Sequence, residues 1–389
     1  MWAYVITHPI QYYTPLLQRI ARVAPDEMEV LYCSSELESS HAHAGFGVRY
    51  KWDLPLLEGY RYRFLRNLAA RPSTTSFGGL DNPELSRIIA SRAYSAVVLN
   101  GWHFKTAWRA MIACWAHRVP VLIRSDSHLR GPGTLRKWGK WPLHRSFIPH
   151  LDGCLAAGTW SSDYFEKYGA SPNHIFKIPH CVDNRRFEQE MVRLRPQRQE
   201  LRRQWGIDPH ATVFLFAGKF TPVKRPLDFV QAVGRPAGAG RSVAGLMVGD
   251  GPLRAQCEQQ ARRTGAPVRF AGFLNQTRIV EAYATADALV LPSETETWGL
   301  VANEAMASGL PCLISDRVGC GPDLIDRGIT GDIHPMGNVA ALSELMVRYS
   351  DSSQIAAMGK AAERKIERYS VEAAADGLLS AVETVRRRR

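Results

Sequence analysis

No CxxC pair occurs in this chain of 389 residues, and its seven cysteines are scattered and odd in number. That pattern argues against structural zinc and against a disulfide framework, so the thiols read as small core residues in a reducing, cytosolic setting. No apolar run approaches the length needed to span a bilayer. The start, MWAYVITHPIQYY, lacks a basic segment leading into a signal-type apolar stretch, so no export signal is expected. No DxD triplet occurs and no His/Cys/Asp cluster has metal-ligand spacing, so neither a metal nor an organic cofactor is expected. The first strand runs into THPIQYYTPLL, without the GxGxxG that a nicotinamide-dinucleotide domain needs for its tight turn and close approach to pyrophosphate.

What is present points to a folded protein with an anionic partner. Hydrophobic residues make up 45% and charged residues 22% of the chain, the proportions of a globular protein, and the length asks for two domains. The net charge of +12 favours nucleic acid, a phosphorylated small molecule or an acidic membrane surface. In 135–151, Arg136, Lys137, Lys140, His144 and Arg145 interleave with Trp138, Trp141 and Phe147. That composition fits peripheral contact with an anionic membrane, although Pro142 is expected to prevent one clean amphipathic helix. The chain closes on four arginines, Arg386 to Arg389.

Short apolar runs alternate with helical patterns, the signature of an α/β protein with parallel sheets. Strands are expected at 2–7, 28–33, 96–101, 120–125, 153–158 and 174–179, with looser, loop-like sequence over 34–80, including Gly45, Gly47 and PSTTSFGG. A second alternating unit offers strands at 212–218, 244–251, 267–273, 288–294 and 311–316. The polar, basic segment between them, interrupted by Pro196, reads as a connector and a lead-in helix. The expected division is an N-terminal domain at 1–183, a connector at 184–204, a C-terminal domain at 205–370 and a last helix at 371–389, which could cross back to the first domain. Two Rossmann-like domains in tandem place the ligand beyond the carboxyl ends of the strands, in the cleft between them.

Four segments carry chemistry. In AGKFTPVKRP, Lys219 and Lys224 follow a strand through Gly218. Each ammonium near a phosphate oxygen is worth about 4 kcal/mol at 4 Å and an effective dielectric of 20. VGDGPL (248–253) breaks a second strand with two glycines at the same end of the sheet. In SETETWGLVANEAMASG (293–309), a helix stopped by Gly309 opens at Gly299, where bare backbone N–H groups and the helix dipole favour an anion. Glu296 precedes that mouth, and Glu304 lies more than one turn inside among Ala302, Ala305, Met306 and Ala307. A carboxylate so placed needs donors, and either a sugar diol or a basic side chain could supply them. The loop after the first strand carries His8, Gln11, Tyr12 and Tyr13.

Together, GKFTPVK, VGDGPL, VRFAGF and PSETETWGLVANEAMASGLPCLISD resemble the C-terminal domain of the large retaining GT-B glycosyltransferase family 4, over about Trp205 to Asp332. The resemblance includes that family's E-x7-E motif, here Glu296 and Glu304. It implies a nucleotide-diphosphate-sugar donor: Lys219 and Lys224 on the diphosphate, Glu304 on ribose and Glu296 on donor-sugar hydroxyls. Gly218 belongs to the donor loop, and the backbone at Gly299, Leu300 and Val301 would meet phosphate and sugar. Lys219 replaces the commoner Arg, keeping the charge but losing the planar fork. The N-terminal half matches more loosely, through GTWSSDYFEKYG and KIPHCVD (158–183). HPIQYY stands where the family often has a Gly-rich loop, and SDSH stands near the family's His, with Asp126 closest and His128 beside it. His8, Gln11, Tyr12, His103, Asp126 and His128 are the acceptor-side candidates.

The resulting expectation is a GT-B fold of two Rossmann-like domains, and a metal-independent retaining transferase with Lys219, Lys224 and Glu296 as its catalytic residues. Its acceptor would be a glycan, a lipid-linked glycan or a small molecule, in bacterial glycan or glycolipid assembly. A nucleotide-sugar epimerase or hydrolase of the same architecture is the alternative. Nucleic-acid binding fits less well, because the basic residues form no recognised reading module. The protein is expected in the cytosol, touching the inner membrane face through 135–151.

Overall fold

The computed structural model describes residues 1–35, 52–130, 134–238, 240–350 and 352–388, with side chains omitted at 134–140 and 352. Gly45, Gly47 and Arg389 lie outside the described residues, as do the side chains of Arg136, Lys137, Trp138 and Lys140. Among the described residues there are two parallel sheets flanked by helices. They fall into two compact units. One holds the described residues of Met1–His41, Pro55–His180 and Val371–Arg389; the other holds those of Ala42–Leu54 and Cys181–Ser370.

In the first unit, β1 (Trp2–Ile6), β2 (Met28–Tyr32), β3 (Tyr62–Phe64), β4 (Val97–Asn100), β5 (Val121–Ser125), β6 (Gly153–Ala156) and β7 (Ile175–Lys177) form a seven-stranded sheet. Its order is β3-β2-β1-β4-β5-β6-β7. The central strands are buried along their whole length, which is why they read as unbroken apolar runs. The chain winds outward in one direction from β1 and in the other from β4, so the order reverses between those two strands. β3 was invisible in the sequence because it is a three-residue edge strand with exposed or half-exposed side chains. The PSTTSFGG stretch is not simply loose: Ser73 N–H donates to the Gly79 carbonyl at 3.1 Å, and Asn67 bonds both Gly79 O and Asp81 N–H.

The second unit carries β8 (Thr212–Ala217), β9 (Val243–Val248), β10 (Val268–Gly272), β11 (Ala288–Leu291), β12 (Cys312–Ser315) and β13 (Gly331–His334) in the order β10-β9-β8-β11-β12-β13. β13, a four-residue edge strand reading GDIH, has too little apolar content to announce itself.

Three expectations need correction. Pro142 does not end a helix: Thr134–Phe147 is one continuous helix with Pro142 inside it. The missing N–H costs one bond to residue 138, and tertiary packing further along offsets that loss. His144, expected among the surface charges, is buried; its Nδ1 lies 2.6 Å from Tyr164 Oη, and Phe147 and Ile148 are buried with it. Residues 184–204 are not a free connector but helices Asn184–Leu194 and Arg198–Gln204 packed inside the second unit. Arg198 and Arg202 clamp Asp287 at 2.6 and 2.7 Å, and Asp287 also accepts the Val213 N–H at 2.7 Å.

The last helix, Val371–Arg387, packs on helix Thr14–Val23 and on β6 and β7 through Ala374, Leu378, Ala381 and Val385. Arg386 pairs with Glu27 at 2.9 Å, and Arg388 donates to the Asn173 carbonyl at 3.0 Å. Part of the terminal arginine run therefore ties the chain end down instead of standing free for an anionic partner. All seven cysteines are buried and free; burial pushes the Cys33, Cys154 and Cys257 thiols up to about 12. Among the described residues no helix is long and apolar enough to cross a membrane.

Candidate active site

Three loops leave the carboxyl end of the second sheet side by side, and backbone bonds lock them together. After β8, Gly218 N–H donates to Val248 O at 3.0 Å; after β9, Gly249 N–H donates to Gly272 O at 2.8 Å. Phe220 N–H reaches Asp250 O at 2.8 Å, and Leu253 N–H returns to Phe220 O at 2.9 Å. The two glycine segments seen separately in the sequence are thus one structure. Gly249 has φ +126°, and a Cβ there would lie 1.9 Å from the Gly218 carbonyl oxygen.

On this platform Lys219 and Lys224 are close enough to repel. Burial, and then the Lys224 cation, push the Lys219 ammonium below the usual lysine range. Lys224 makes a direct ion pair with Glu296 Oε1, which also accepts from Ser293 Oγ at 2.9 Å. Ser293 is itself fixed, since Ser315 Oγ donates to its carbonyl at 2.6 Å. Glu296 is further held along its backbone, its N–H to Arg317 O and its carbonyl to Gly319 N–H. Glu294 contributes its backbone: its N–H donates to Val223 O at 2.8 Å, joining the β11 loop to the lysine loop.

Helix Leu300–Ala307 begins at Gly299, in the left-handed region at φ +101°. A Cβ at that position would meet Leu291 Cδ2 at 3.1 Å and Val318 Cγ1 at 3.2 Å, so the chain turns tightly over the end of β11. The first helical N–H groups, including those of Leu300 and Val301, have no intrahelical acceptor by geometry. Trp298 is buried beside the turn, its Nε1–H bonded to Asn303 Oδ1 at 2.8 Å. Glu304 is 1% exposed and accepts from Tyr283 Oη at 2.6 Å. This donor to the carboxylate is a tyrosine from helix Ile279–Thr285. Phenylalanine at 283 would remove a charge-assisted bond, and Tyr283→Phe is expected to cost about 1.5–3 kcal/mol in denaturant unfolding. A change below about 0.5 kcal/mol would show that this bond is not holding the carboxylate.

The first unit presents its own group at the carboxyl ends of β1, β4 and β5. His8 Nδ1 lies 2.9 Å from Thr7 Oγ1; Gln11 is buried and Tyr12 half-buried. Tyr13 donates to Asn100 Oδ1 at 3.1 Å with the Arg124 guanidinium 5.3 Å from its ring, and burial raises its hydroxyl to about 12. His103 follows β4, its imidazole lowered by burial and raised in part by the nearby Asp126 carboxylate. Asp126 follows β5 and lies 3.5 Å from His180 Nε2. His128 accepts the Arg130 N–H at 3.1 Å and packs beside Trp160, over which Arg130 also stacks. The donor-side candidates therefore cluster in one unit, and His103 and Asp126 are brought together in the other. His128 turns instead toward Trp160. Among the described residues, no group of three or more His, Cys, Asp or Glu side chains could hold a metal ion.

Sequence reasoning missed Tyr283, Ser293 and Asn303 in the second unit, and Arg124 and His180 in the first. Only Arg124 left a signal: a cation inside the otherwise apolar strand PVLIRS.

Residues 197–365 match the family model described as glycosyl transferases group 1. A D-inositol 3-phosphate glycosyltransferase of Rhodococcus jostii (strain RHA1) is 27% identical over 375 residues, covering 84% of this chain and 76% of the relative. An N-acetyl-alpha-D-glucosaminyl L-malate synthase of Bacillus anthracis is 31% identical over 162 residues, 42% of each chain. The crystal structure of Anabaena HepE in complex with UDP and glucose aligns with a TM-score of 0.71 at 17% identity, covering 98% of this chain and 99% of that one. Sucrose-phosphate synthase from Thermosynechococcus elongatus aligns with a TM-score of 0.72 at 17% identity, covering 99% and 98%. At such identities the solved structures speak for the fold alone.

Proposed function

Because the chain belongs to the GT-B glycosyltransferases of family 4, we propose that it moves a sugar from a nucleotide-diphosphate sugar to an acceptor hydroxyl with retention of configuration. The observation that carries this reading is the convergence of Lys219, Lys224, Glu296 and the helix mouth at Gly299 on one end of the second sheet. The relatives named for glycosyl transfer, and a fold neighbour solved with UDP and glucose, support a nucleotide-sugar donor. The acceptor belongs to bacterial glycan, polysaccharide or glycolipid assembly.

In this reading Lys219 and Lys224 meet the diphosphate, while the N–H groups of Leu300 and Val301 complete an anion site at the helix mouth. Gly218 lets the loop approach without a side chain. Glu304 accepts from the ribose hydroxyls and Glu296 from the donor sugar. As the glycosidic bond breaks, negative charge grows on the leaving diphosphate, and fixed cations and dipoles lower the barrier without reorganising. Two ammonium groups supply the charge that a metal would otherwise bring, so transfer is expected to persist in excess chelator. The donor also changes the pairing at rest: Lys224, held by Glu296, is shared with phosphate, which releases Glu296 toward sugar hydroxyls.

A thermal-shift screen of nucleoside diphosphates and their sugars tests the site, with Lys224→Ala and Glu304→Ala as controls. One nucleotide is expected to stabilise the parent by several degrees and both variants much less. Stabilisation by no nucleotide, or equal shifts in the parent and both variants, would sink the assignment. A second result follows from Lys219. A diphosphate raises its lowered pKa again, so binding takes up a proton, and affinity falls as pH climbs through the pKa of the free protein. Calorimetric titration across alkaline pH is expected to show that fall, and Lys219→Met is expected to flatten it.

Peripheral membrane contact through 135–151, on the cytosolic face, is part of the proposal. Trp141 and Leu143 are 47% and 48% exposed, and Arg145 lies over the Trp141 ring. Co-sedimentation with vesicles containing anionic lipid, lost on Trp141→Ser/Leu143→Ser, would support it.

A further inference from the structure

The second unit holds a cavity of about 410 Å³ at the end of its sheet away from the lysine loop, a volume in the range of small-molecule sites. Ala286 and Asp287 in its wall precede β11, and Ser308 and Leu310 precede β12, whereas Glu296 and Gly299 lie past the carboxyl end of β11. Helix Leu300–Ala307 connects the two ends. Its mouth opens beside the lysine loop, and the chain that leaves it, Ser308 to Leu310, borders the cavity. At 1.5 Å per residue the helix is about 12 Å long. Tyr283, which donates to Glu304, also stands in the cavity wall.

The wall carries three cations, Arg195, Arg198 and Lys360, and two carboxylates, Asp287 and Glu363. Both carboxylates are already paired, Glu363 with Arg195 at 2.8 Å and Asp287 with both Arg198 and Arg202. With Arg202 counted, positive charge is in excess. The guanidinium donors are only partly used. Arg195 donates from Nη2 alone, to Ser308 O at 3.2 Å and to Glu363. Arg198 also donates from Nη2 alone, chiefly to Ala286 O at 2.7 Å and to Asp287 at 2.6 Å. A guanidinium has five donors, so each keeps its Nη1 group without an acceptor among the described residues. Lys360 is exposed and, among the described residues, has neither a hydrogen bond nor an ion pair. The Arg195–Glu363 pair is pressed against the chain after the helix: a Cβ at Gly309 would collide with Arg195 Nη2 and Glu363 Oε1. Behind the charges the wall is apolar, through Met191, Leu310 and Ile355.

Unused fork donors and an unpaired ammonium fit an anion with several acceptor oxygens, and Arg–phosphate contacts are commonly bidentate. A phosphate monoester brings a charge of about −1.5 to −2 at neutral pH, against −1 for a carboxylate, and so matches the excess better. We propose that this cavity is an effector site for a phosphate monoester with a small apolar group, held by Arg195, Arg198 and Lys360. Its occupancy tightens nucleotide binding at the other end of helix Leu300–Ala307, a consequence that rests on the glycosyltransferase reading. The apolar group packs beside Tyr283 and restrains the residue that holds Glu304, while the phosphate fixes Arg195 at the Ser308 carbonyl. Such coupling is reciprocal, so the nucleotide tightens binding of the monoester by the same factor.

Calorimetric titration of the full chain with phenyl phosphate tests the site, with inorganic phosphate and phenol as its separate halves. Phenyl phosphate is expected to bind more tightly than either half. Lys360→Ala is expected to weaken it roughly tenfold, and Ala356→Trp, which fills the cavity from an exposed helix position, to abolish it. Both positions are exposed, so the melting temperature without ligand should hardly move. Lys224→Ala, at the other end of the sheet, is expected to leave phenyl phosphate binding unchanged, which separates the cavity from the lysine loop. The nucleotide found by the donor screen is expected to bind roughly fivefold more tightly in saturating phenyl phosphate, and phenyl phosphate to gain the same factor from the nucleotide. No binding of phenyl phosphate, equal binding in the parent and both cavity variants, or its loss in Lys224→Ala would overturn the site. A nucleotide affinity indifferent to phenyl phosphate would overturn the effector role. Absence of any nucleotide binding would instead defeat the glycosyltransferase reading, while binding at the cavity is still measured on its own.

Discussion

Replacing Lys224 by alanine is expected to lower kcat for sugar transfer by roughly 100- to 1000-fold, or about 3–4 kcal/mol of transition-state stabilisation. The structure gives two reasons for so large an effect. Lys224 is one of two ammonium groups beside the helix mouth, and the other, Lys219, is the one whose protonation burial disfavours. In the proposed reaction the diphosphate leaving group would therefore depend more on Lys224. Lys224 is also the ion-pair partner of Glu296, so its loss takes away the cation that orients that carboxylate. The pair is mostly buried, with 27% and 12% of the two side chains exposed, so removing the cation also leaves the Glu296 carboxylate without it. Some loss of thermal stability should accordingly accompany the collapse of activity, and the comparison of rates is made below the melting temperature of the variant. Arginine at 224 restores charge but imposes a planar fork, and is expected to recover only part of the rate. Steady-state kinetics beside a melting curve would decide the matter; a loss of activity under about threefold, far short of what one electrostatic donor supplies, would remove Lys224 from the chemistry.

Gly249→Ala is expected to produce the largest structural effect. The new Cβ would lie 1.9 Å from the Gly218 carbonyl oxygen, with φ at +126°. Neither backbone can withdraw easily, because Gly218 is bonded to Val248 and Gly249 to Gly272. Backbone strain and overpacking together should cost about 2–4 kcal/mol, which corresponds to a Tm lower by roughly 4–16 °C. The displaced strand would carry Gly218 and the lysine loop with it, so nucleotide binding should weaken in parallel. Gly265→Ala is the control: its φ is +66°, an added methyl group would find nothing within 4 Å, and only the left-handed C-cap is strained, at about 1 kcal/mol. Equal Tm shifts in the two variants would show that the close approach of Gly249 to Gly218 does not matter.

Legibility in the sequence followed the range of the interaction. Helix Thr14–Val23 and the buried strands were readable because apolar spacing records which face meets the core. The helix opening at Gly299 was readable because a strand, a glycine and an apolar run follow one another within a few residues. Edge strands β3 and β13 were not, since a strand of three or four residues with one neighbour needs little apolar content. Pro142 misled because the local penalty of a proline is fixed by its ring, whereas the packing of His144, Phe147 and Ile148 that offsets it is assembled from distant elements.

The loops at the carboxyl end of the second sheet show the same division. Glu296, Gly299 and Glu304 stood out by spacing, while Tyr283 comes from another helix and carries no mark of its distant partner. Likewise Arg124, His180 and Asp126 lie on separate segments, and their order from core to surface exists only after the strands have paired. By itself the sequence determined the alternating α/β plan, the two glycine-marked turns, both lysines and the E-x7-E helix, all features written within one element or its adjoining loop. Tertiary structure alone decided that Lys224 rests on Glu296, that Tyr283 holds Glu304 and that Arg124 meets His180. Those pairings depend on which strand ends lie side by side, and that is fixed by the packing of whole sheets.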